Sequence, residues 1–220
     1  MITCMYINYW FMEEVKMKKL KFSRVMLLCI MLFNLVGCSK ATPPVITVGG
    51  QEIVVSKSTL GQIMSTNEFK IRGDESLNVK TMEGRTYDFG SVILVDKEDC
   101  ATFVCLYNTS MNKLPYSDCT IYECWWDFSG NEYAEFKMLV NGHEITPFFT
   151  PEDVKTSLSN LKIKKDEENV YENEYGSFSY YSLEFKDGRY WYSFDFRKSP
   201  GEEEFSLNNI HITSDFEKSY

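Results

Sequence analysis

The sequence predicts an α+β fold built of two tandem β-α-β-β-β repeats, each a short helix packed on an antiparallel sheet. Three observations predict it: an internal repeat at a nearly fixed offset, a capped apolar helix pattern in each half, and alternating runs closed by turn residues. Helix on one face of an antiparallel sheet is the layer arrangement those elements suit.

The repeat is the first of these. Val48, Gly50, Glu52, Ile53, Lys70, Ile71, Asp74 and Glu75 each recur 92 positions later without a gap. The offset then shrinks, so that Tyr116 to Ile121 matches Phe205 to Ile210, and Asp127-Phe128 matches Asp215-Phe216. A period of this kind is read before anything else, because missing it misassigns the fold. The two copies are expected at residues 45–128 and 137–216.

Within each copy a strand comes first, over Val45 to Val55 and Phe136 to Phe148. A helix follows. In the second copy Thr150 is the N-cap, Pro151 takes the first helical position, and Glu152 and Asp153 fill the first turn, a pattern that satisfies otherwise unpaired backbone donors. Val154, Leu158 and Leu161 give it one apolar face. In the first copy Ser58 is the expected cap, with Leu60, Ile63 and Met64 behind it. The remaining strands include a hairpin about Asp187-Gly188, a strong two-residue turn signal. That turn would pair Phe185 with Tyr190, Leu183 with Tyr192 and Tyr181 with Phe194 on one face. The other face would receive Glu184 with Trp191, Ser182 with Ser193 and Tyr180 with Asp195. In the first copy Ser91–Asp96 and Ala101–Tyr107 form the matching hairpin.

The N-terminus reads as an address. Lys16 to Arg24 is basic, and Val25 to Val36 is apolar apart from Asn34. Twelve helical residues reach about 18 Å, short of a bilayer core of about 30 Å, so the segment is a secretory signal before it is a span. It ends in Leu35-Val36-Gly37-Cys38, which resembles the lipobox of bacterial lipoproteins. That resemblance, over residues 17 to 38, implies a diacylglyceryl group on the Cys38 thiol, cleavage before Cys38, and anchoring on the extracytoplasmic face of the cell membrane. Residues 1–37 are then the signal peptide and 38–44 the anchor and tether. Residues 1–16, with Glu13 and Glu14 ahead of the basic stretch, suit a mis-assigned start, with Met17 opening a normal signal. The layout, including Ser117 to Ile121, resembles small uncharacterised tandem-module lipoproteins of Gram-positive bacteria. Tandem helix-plus-sheet modules are also similar to the β-lactamase inhibitor protein and to outer-membrane assembly lipoproteins, an analogy of fold that does not carry function.

The whole chain has a net charge of −9; without residues 1–37, eighteen basic and thirty acidic residues remain, a charge of −12. Bulk electrostatics of that sign disfavour nucleic acid and anionic lipid. The lipid on Cys38 is the expected link to the membrane.

Motifs for catalysis, cofactors and metals are not recognisable, so no catalytic residue, cofactor or metal ligand is assigned. His143 is expected in a turn and His211 in the last strand, both as ordinary residues. Asp74-Glu75 and Asp166-Glu167-Glu168 lack the alternating oxygen ligands of a calcium loop and read as solvated loop charges. Trp191 falls on the face opposite the aromatic core of its hairpin and is the candidate contact residue. Of Trp125 and Trp126, one is expected to pack and the other to be exposed. Cys100, Cys105, Cys119 and Cys124 lie in the first copy. If 101–107 and 118–124 pair antiparallel, Cys105 stands opposite Cys119 and Cys100 opposite Cys124. A Cys105–Cys119 bridge and four reduced, half-buried thiols remain as alternatives. The leading functional expectation is a lipid-anchored, non-enzymatic module binding a protein or a glycan, with no nucleic-acid partner. A solute-binding lipoprotein of a transporter, and an enzyme with an unrecognised carboxylate site, are the other two readings.

Overall fold

A computed structural model describes residues 41–73, 80–97, 100–128, 136–173 and 176–215. These lie in one compact unit that begins at Ala41. The lipobox, Cys38, Asp74 and Glu75 fall outside the described residues.

The protein is dominated by antiparallel sheet, which corrects the expected α+β repeat architecture. The elements are β1 (Val45–Val48), β2 (Gln51–Val54), α1 (Leu60–Met64), β3 (Lys70–Ile71), β4 (Thr81–Met82), β5 (Tyr87–Val95), β6 (Ala101–Tyr107), β7 (Leu114–Pro115), β8 (Thr120–Asp127), β9 (Met138–Val140), β10 (His143–Ile145), α2 (Pro151–Ser157), β11 (Lys162–Asn173), β12 (Gly176–Asp187), β13 (Tyr190–Lys198) and β14 (Ser206–Ser214). Four strands form a small sheet in the order β10-β9-β1-β2, and eight form a large one in the order β11-β12-β13-β14-β8-β6-β5-β3. With five and seven residues, α1 and α2 are too short to cover a sheet alone.

Why the helix layer gave way to a second sheet is visible at two turns. Each expected first strand is instead a hairpin. Gly49-Gly50 and Asn141-Gly142 have φ of +56, +81, +52 and +84. Two successive residues with positive φ make the turn that suits the twist of a hairpin. The two hairpins then join through β1 and β9, with Ile46 opposite Val140 and Val48 opposite Met138. The large sheet is likewise shared, since β14 of the second half pairs with β8 of the first. Its strand order is palindromic about that seam, but neither half owns a separate core.

The core lies between the sheets. Ile46, Val48, Ile53, Met138, Val140 and Ile145 from the small sheet join Phe185, Tyr192, Phe194, Ile210, Ile212 and Trp126 from the large one in a single buried cluster. Both helices complete the second layer, burying Leu60 and Ile63, and Val154 and Leu158. Their starts are capping boxes. Thr150 caps α2 with Pro151 at its first position, while Thr59, not Ser58, caps α1 with Gln62 as the reciprocal partner. Ser58 Oγ instead accepts from the Val54 backbone N–H at 2.9 Å. Trp126 donates from Nε1 to Thr102 Oγ1 at 2.9 Å inside the core. Ala41 packs against the core and Pro44 accepts from Val55 N–H at 3.0 Å, so this end of the expected tether is fastened to the fold.

The β12–β13 register differs from expectation by two. Asp187 pairs with Tyr190, Phe185 with Tyr192, Leu183 with Phe194 and Tyr181 with Phe196. Gly188, at φ +58, is the first central residue of the turn and Arg189 the second. Glycine first is the other favoured two-residue turn. A slip of two leaves every side chain on its expected face, because the strand period is two. The slip seats the Lys186 ammonium 4.1 Å from the Trp191 ring centre and lets Ser182 Oγ meet Asp195 Oδ1 at 3.0 Å.

Candidate functional site: the outer face of the large sheet

The small sheet and the helices occupy one face of the large sheet, and its strands alternate accordingly. In β13 the inward residues Tyr190, Tyr192, Phe194 and Phe196 are buried, while Trp191, Ser193 and Asp195 between them are half-buried. The register carries this outward set from strand to strand. Ser193 stands opposite His211, His211 opposite Trp125, and Trp125 opposite Phe103. Among the described residues no element packs over this face.

Aromatic rings punctuate it. Trp125 is 40% exposed and meets Phe103 edge to face, with centroids 4.8 Å apart. Its neighbour Trp126 is fully buried, so the pair divides as alternation requires. Tyr180 and Tyr171, 39% and 59% exposed, make a second edge-to-face pair at 5.6 Å. Trp191, the contact residue expected from sequence, does lie on this face, half-buried beneath Lys186. A smaller cluster of Cys105, Tyr107 and Tyr122, joined by Tyr87, fills the β5–β6–β8 end. Burial, reinforced by the charges of Cys105 and Glu123, pushes the Tyr122 phenol well above the usual tyrosine range.

Three titratable groups of the face lie together. Cys105 Sγ donates to Glu123 Oε1 at 3.7 Å, and His211 Nε2 lies 3.1 Å from that same oxygen without hydrogen-bond alignment. The carboxylate thus stands between thiol and imidazole. A thiol–base catalyst needs the imidazole on the thiol and the carboxylate behind it. Among the described residues no group of three His, Cys, Asp or Glu side chains is placed to hold a metal ion.

The cysteines are reorganised relative to the expected pairing. β6 and β8 are antiparallel, but Cys105 faces Glu123 and Cys124 faces Val104, with a bulge between Glu123 and Ile121. Cys119 precedes β8 at the end of a short 3-10 turn, Tyr116–Asp118, and donates to Pro115 O at 3.3 Å. Cys100, Cys105, Cys119 and Cys124 are all buried and none is in a disulfide, so neither a Cys105–Cys119 nor a Cys100–Cys124 bridge is formed. Burial, then the charges of Asp118 and Asp88, push the Cys119 thiol up to about 11, and burial holds the Cys124 thiol well above its usual value. Such thiols are inert packing groups.

His143 opens β10 on the surface and takes no part in the face. Asp166, Glu167 and Glu168 sit in β11, not in a loop. Asp166 accepts from Tyr181 Oη and pairs with Lys155 at 2.9 Å, and these two donors hold its carboxyl below the usual carboxylate range. Burial alone would lower the Lys155 ammonium, but hydrogen bonds to Tyr181, Glu152 and Asp166 raise it above the lysine range. This is a fixed ion pair clamping α2 to the sheet edge. A shallow cavity of about 470 Å³ opens at the far edge, lined by Lys70, Arg72, Lys97 and Glu68 among others.

Sequence reasoning placed Trp191 on this face and left one of Trp125 and Trp126 exposed. It placed Tyr180 there as well, but missed that Phe103, His211 and Glu123 share the face, because the sheet that joins them crosses from one half of the chain to the other. No family model matches the chain, and no curated protein or solved structure is similar to it.

Proposed function

We propose that the protein is a lipid-anchored, extracytoplasmic, non-enzymatic binding module that docks a partner protein on the outer face of its eight-stranded sheet. Anchoring is supported by Leu35-Val36-Gly37-Cys38 behind a basic stretch and a twelve-residue apolar run. The observation that carries the binding reading is the outer face with Trp125, Tyr180 and Tyr171 exposed on it among the described residues. Leaving out the two-residue β3, seven strands at about 4.8 Å and seven residues at about 3.3 Å give a face of roughly 800 Å². That is about what one partner contributes to a standard protein–protein interface. Exposed Trp and Tyr are the residues enriched where such interfaces hold their energy. Edge-to-face pairs also favour a protein over a glycan, since a sugar stacks on a ring lying flat.

The anchor is tested by labelling cells with a palmitate analogue. Wild type takes up label, and Cys38→Ala loses it; undiminished label in the variant would refute anchoring through Cys38. The docking face is tested by crosslinking in the native membrane, comparing wild type with Trp125→Arg/Tyr180→Arg. A defined protein partner crosslinked by wild type and lost in the variant is the expected result. Equal crosslinking would overturn the assignment of the face.

A further inference from the structure

We infer that the protein stands on the membrane on one end of its large sheet, with the β12–β13 turn directed at the anionic headgroups of the lipid bilayer. This rests on the proposed anchoring through Cys38. The length of the tether fixes the end. Three peptide steps separate Cys38 from Ala41, a reach of at most about 11 Å. A diacylglyceryl group on the Cys38 thiol holds that residue at the bilayer surface, so Ala41 stays within about 11 Å of it. Ala41 already belongs to the fold. It packs against the core, and a Cβ added to Gly188 would collide with its own. Pro44 O accepts from Val55 N–H, and Asn141 Oδ1 accepts from Val45 N–H, both at 3.0 Å. The slack that remains is about a third of the roughly 30 Å spanned by the nine residues of β13. The end that holds Gly188 therefore stays at the lipid, and charge decides whether the other end rises from it.

Charge is distributed along the strands in that sense. Lys57 is exposed in the turn after β2. Ser56 beside it is tied to the β12–β13 turn: Arg189 Nη2 donates to Ser56 Oγ at 3.1 Å, and the Ser56 and Tyr190 hydroxyls meet at 3.0 Å. Lys186 stands opposite Lys162 at the same end. From there β11 runs through Lys164 and Lys165 to Asp166, Glu167 and Glu168, from cations to acids. Asp187 and Asp215 lie among the cations, and Asp88 and Asp118 lie toward the β5–β8 corner. At the opposite end β13 leads into Glu202, Glu203 and Glu204, all exposed. Cations within a Debye length of about 10 Å are drawn to anionic lipid, and the acidic end is repelled by it. The body thus leans on its β11–β13 corner rather than lying flat. Its strands rise from the bilayer, and the outer face looks along the membrane plane, toward proteins at the membrane surface.

The test uses the full chain extracted from membranes and reconstituted into vesicles of phosphatidylcholine and phosphatidylglycerol, doped with a nickel-chelating lipid. A nitroxide is attached to Lys57→Cys at the anchored end or to Glu203→Cys at the far end, both exposed positions. The chain without an added cysteine serves as the labelling blank, and an unchanged melting temperature shows that each variant is folded. Nickel at the headgroups should relax the nitroxide at position 57 severalfold more than the one at position 203. Replacing phosphatidylglycerol by phosphatidylcholine should narrow the difference. So should inserting about 20 Gly/Ser residues between positions 40 and 41, a coil of roughly 25 Å. Equal relaxation at the two positions, stronger relaxation at position 203, or a difference unchanged by the spacer would overturn the inference. Flotation of the same vesicles separates this from failure of the anchor. A chain that floats no better than Cys38→Ala refutes the anchor and the inference with it. A chain that floats but relaxes both labels equally refutes the orientation alone.

Discussion

Removing the indole N–H of Trp126 should cost more than the missing atoms explain, and removing its acceptor as well should give much of that cost back. Trp126 and Thr102 are both fully buried, and their hydrogen bond of 2.9 Å is made where no water reaches. Trp126→Phe loses roughly 40 Å² of apolar contact, worth about 1 kcal/mol, and strands the Thr102 hydroxyl, worth about 1–3 kcal/mol more. Thr102→Val is nearly isosteric and strands the indole N–H instead, at about 1–3 kcal/mol. In the double variant neither orphan exists, and only the lost contact of about 1 kcal/mol remains. The coupling between the sites should therefore be the sum of the two stranded-group costs, about 2–6 kcal/mol, well above the ~0.5 kcal/mol within which independent sites add. Because β8 joins the halves through β14 on one side and β6 on the other, the loss should appear in the global transition. Urea unfolding followed by far-UV circular dichroism measures it, as midpoint shifts at constant slope. Additive single variants, or a Trp126→Phe variant within about 0.5 kcal/mol of wild type, would refute the reasoning.

Asn108 is buried and its amide nitrogen donates to the carbonyls of Met82, Glu83 and Asn112 at 2.8–3.0 Å, while its oxygen accepts from Ser110 N–H. Asn108→Asp keeps the shape but not the donors and should destabilise by about 2–4 kcal/mol, with faster proteolysis at residues 108–113 as the readout. Gly188→Ala should cost about 1–2 kcal/mol through its left-handed φ, and more because an added Cβ would come within 2.4 Å of the Ala41 Cβ; Gly201→Ala, also left-handed but with open space, is the control. Alkaline pH should unfold the protein from about pH 9–10 upward, as a melting-temperature series in buffers from pH 8 to 12 would show. Burial pushes Cys119 from 9.0 to about 11 and Tyr192 from 10.0 to about 12. In those windows the unfolded chain sheds protons that the folded chain keeps, so stability present below the unfolded values is lost as pH rises through the folded ones. For Tyr192 alone the loss is roughly 2–3 kcal/mol by pH 12, and flat stability across that range would contradict it.

Local chemistry was legible where a residue's partner is close in sequence. The Thr150-Pro151-Glu152-Asp153 cap names all its participants within four residues, and α2 begins where that pattern puts it. Ser58 was displaced by Thr59 because two adjacent hydroxyls compete for one cap, and the reciprocal Gln62 lies three beyond Thr59. Asn141-Gly142 is a hairpin signal as strong as Asp187-Gly188, yet it sits inside a run whose apolar content reads as one continuous strand. Folding that run into β9 and β10, and its counterpart into β1 and β2, creates the small sheet. Once that sheet exists, the helices no longer have to cover the large sheet alone, and the expected helix-on-sheet layer disappears. One turn pair in each half therefore decides the architecture.

The outer face of the large sheet was less legible for a different reason. Alternation tells which residues of a strand point together, and it placed Tyr190, Tyr192 and Phe194 inward and Trp191 outward despite a two-residue error in register. It does not tell which strands are neighbours. Trp125 and His211 are separated by 86 positions and become adjacent only because β8 and β14 form the seam between halves. Phe103 reaches Trp125 only because β6 pairs with β8 as the structure registers them, four residues away from the register the cysteines suggested. The cysteines misled because their five-residue spacings invited pairing, whereas a buried thiol in a strand packs as readily as a small apolar side chain. The bulge at Tyr122 then shifts the ladder by one, which keeps Ile121 and Leu106 inward with Cys124 while turning Tyr122 toward Tyr87 and Cys105. That local irregularity puts an aromatic cluster beside Glu123.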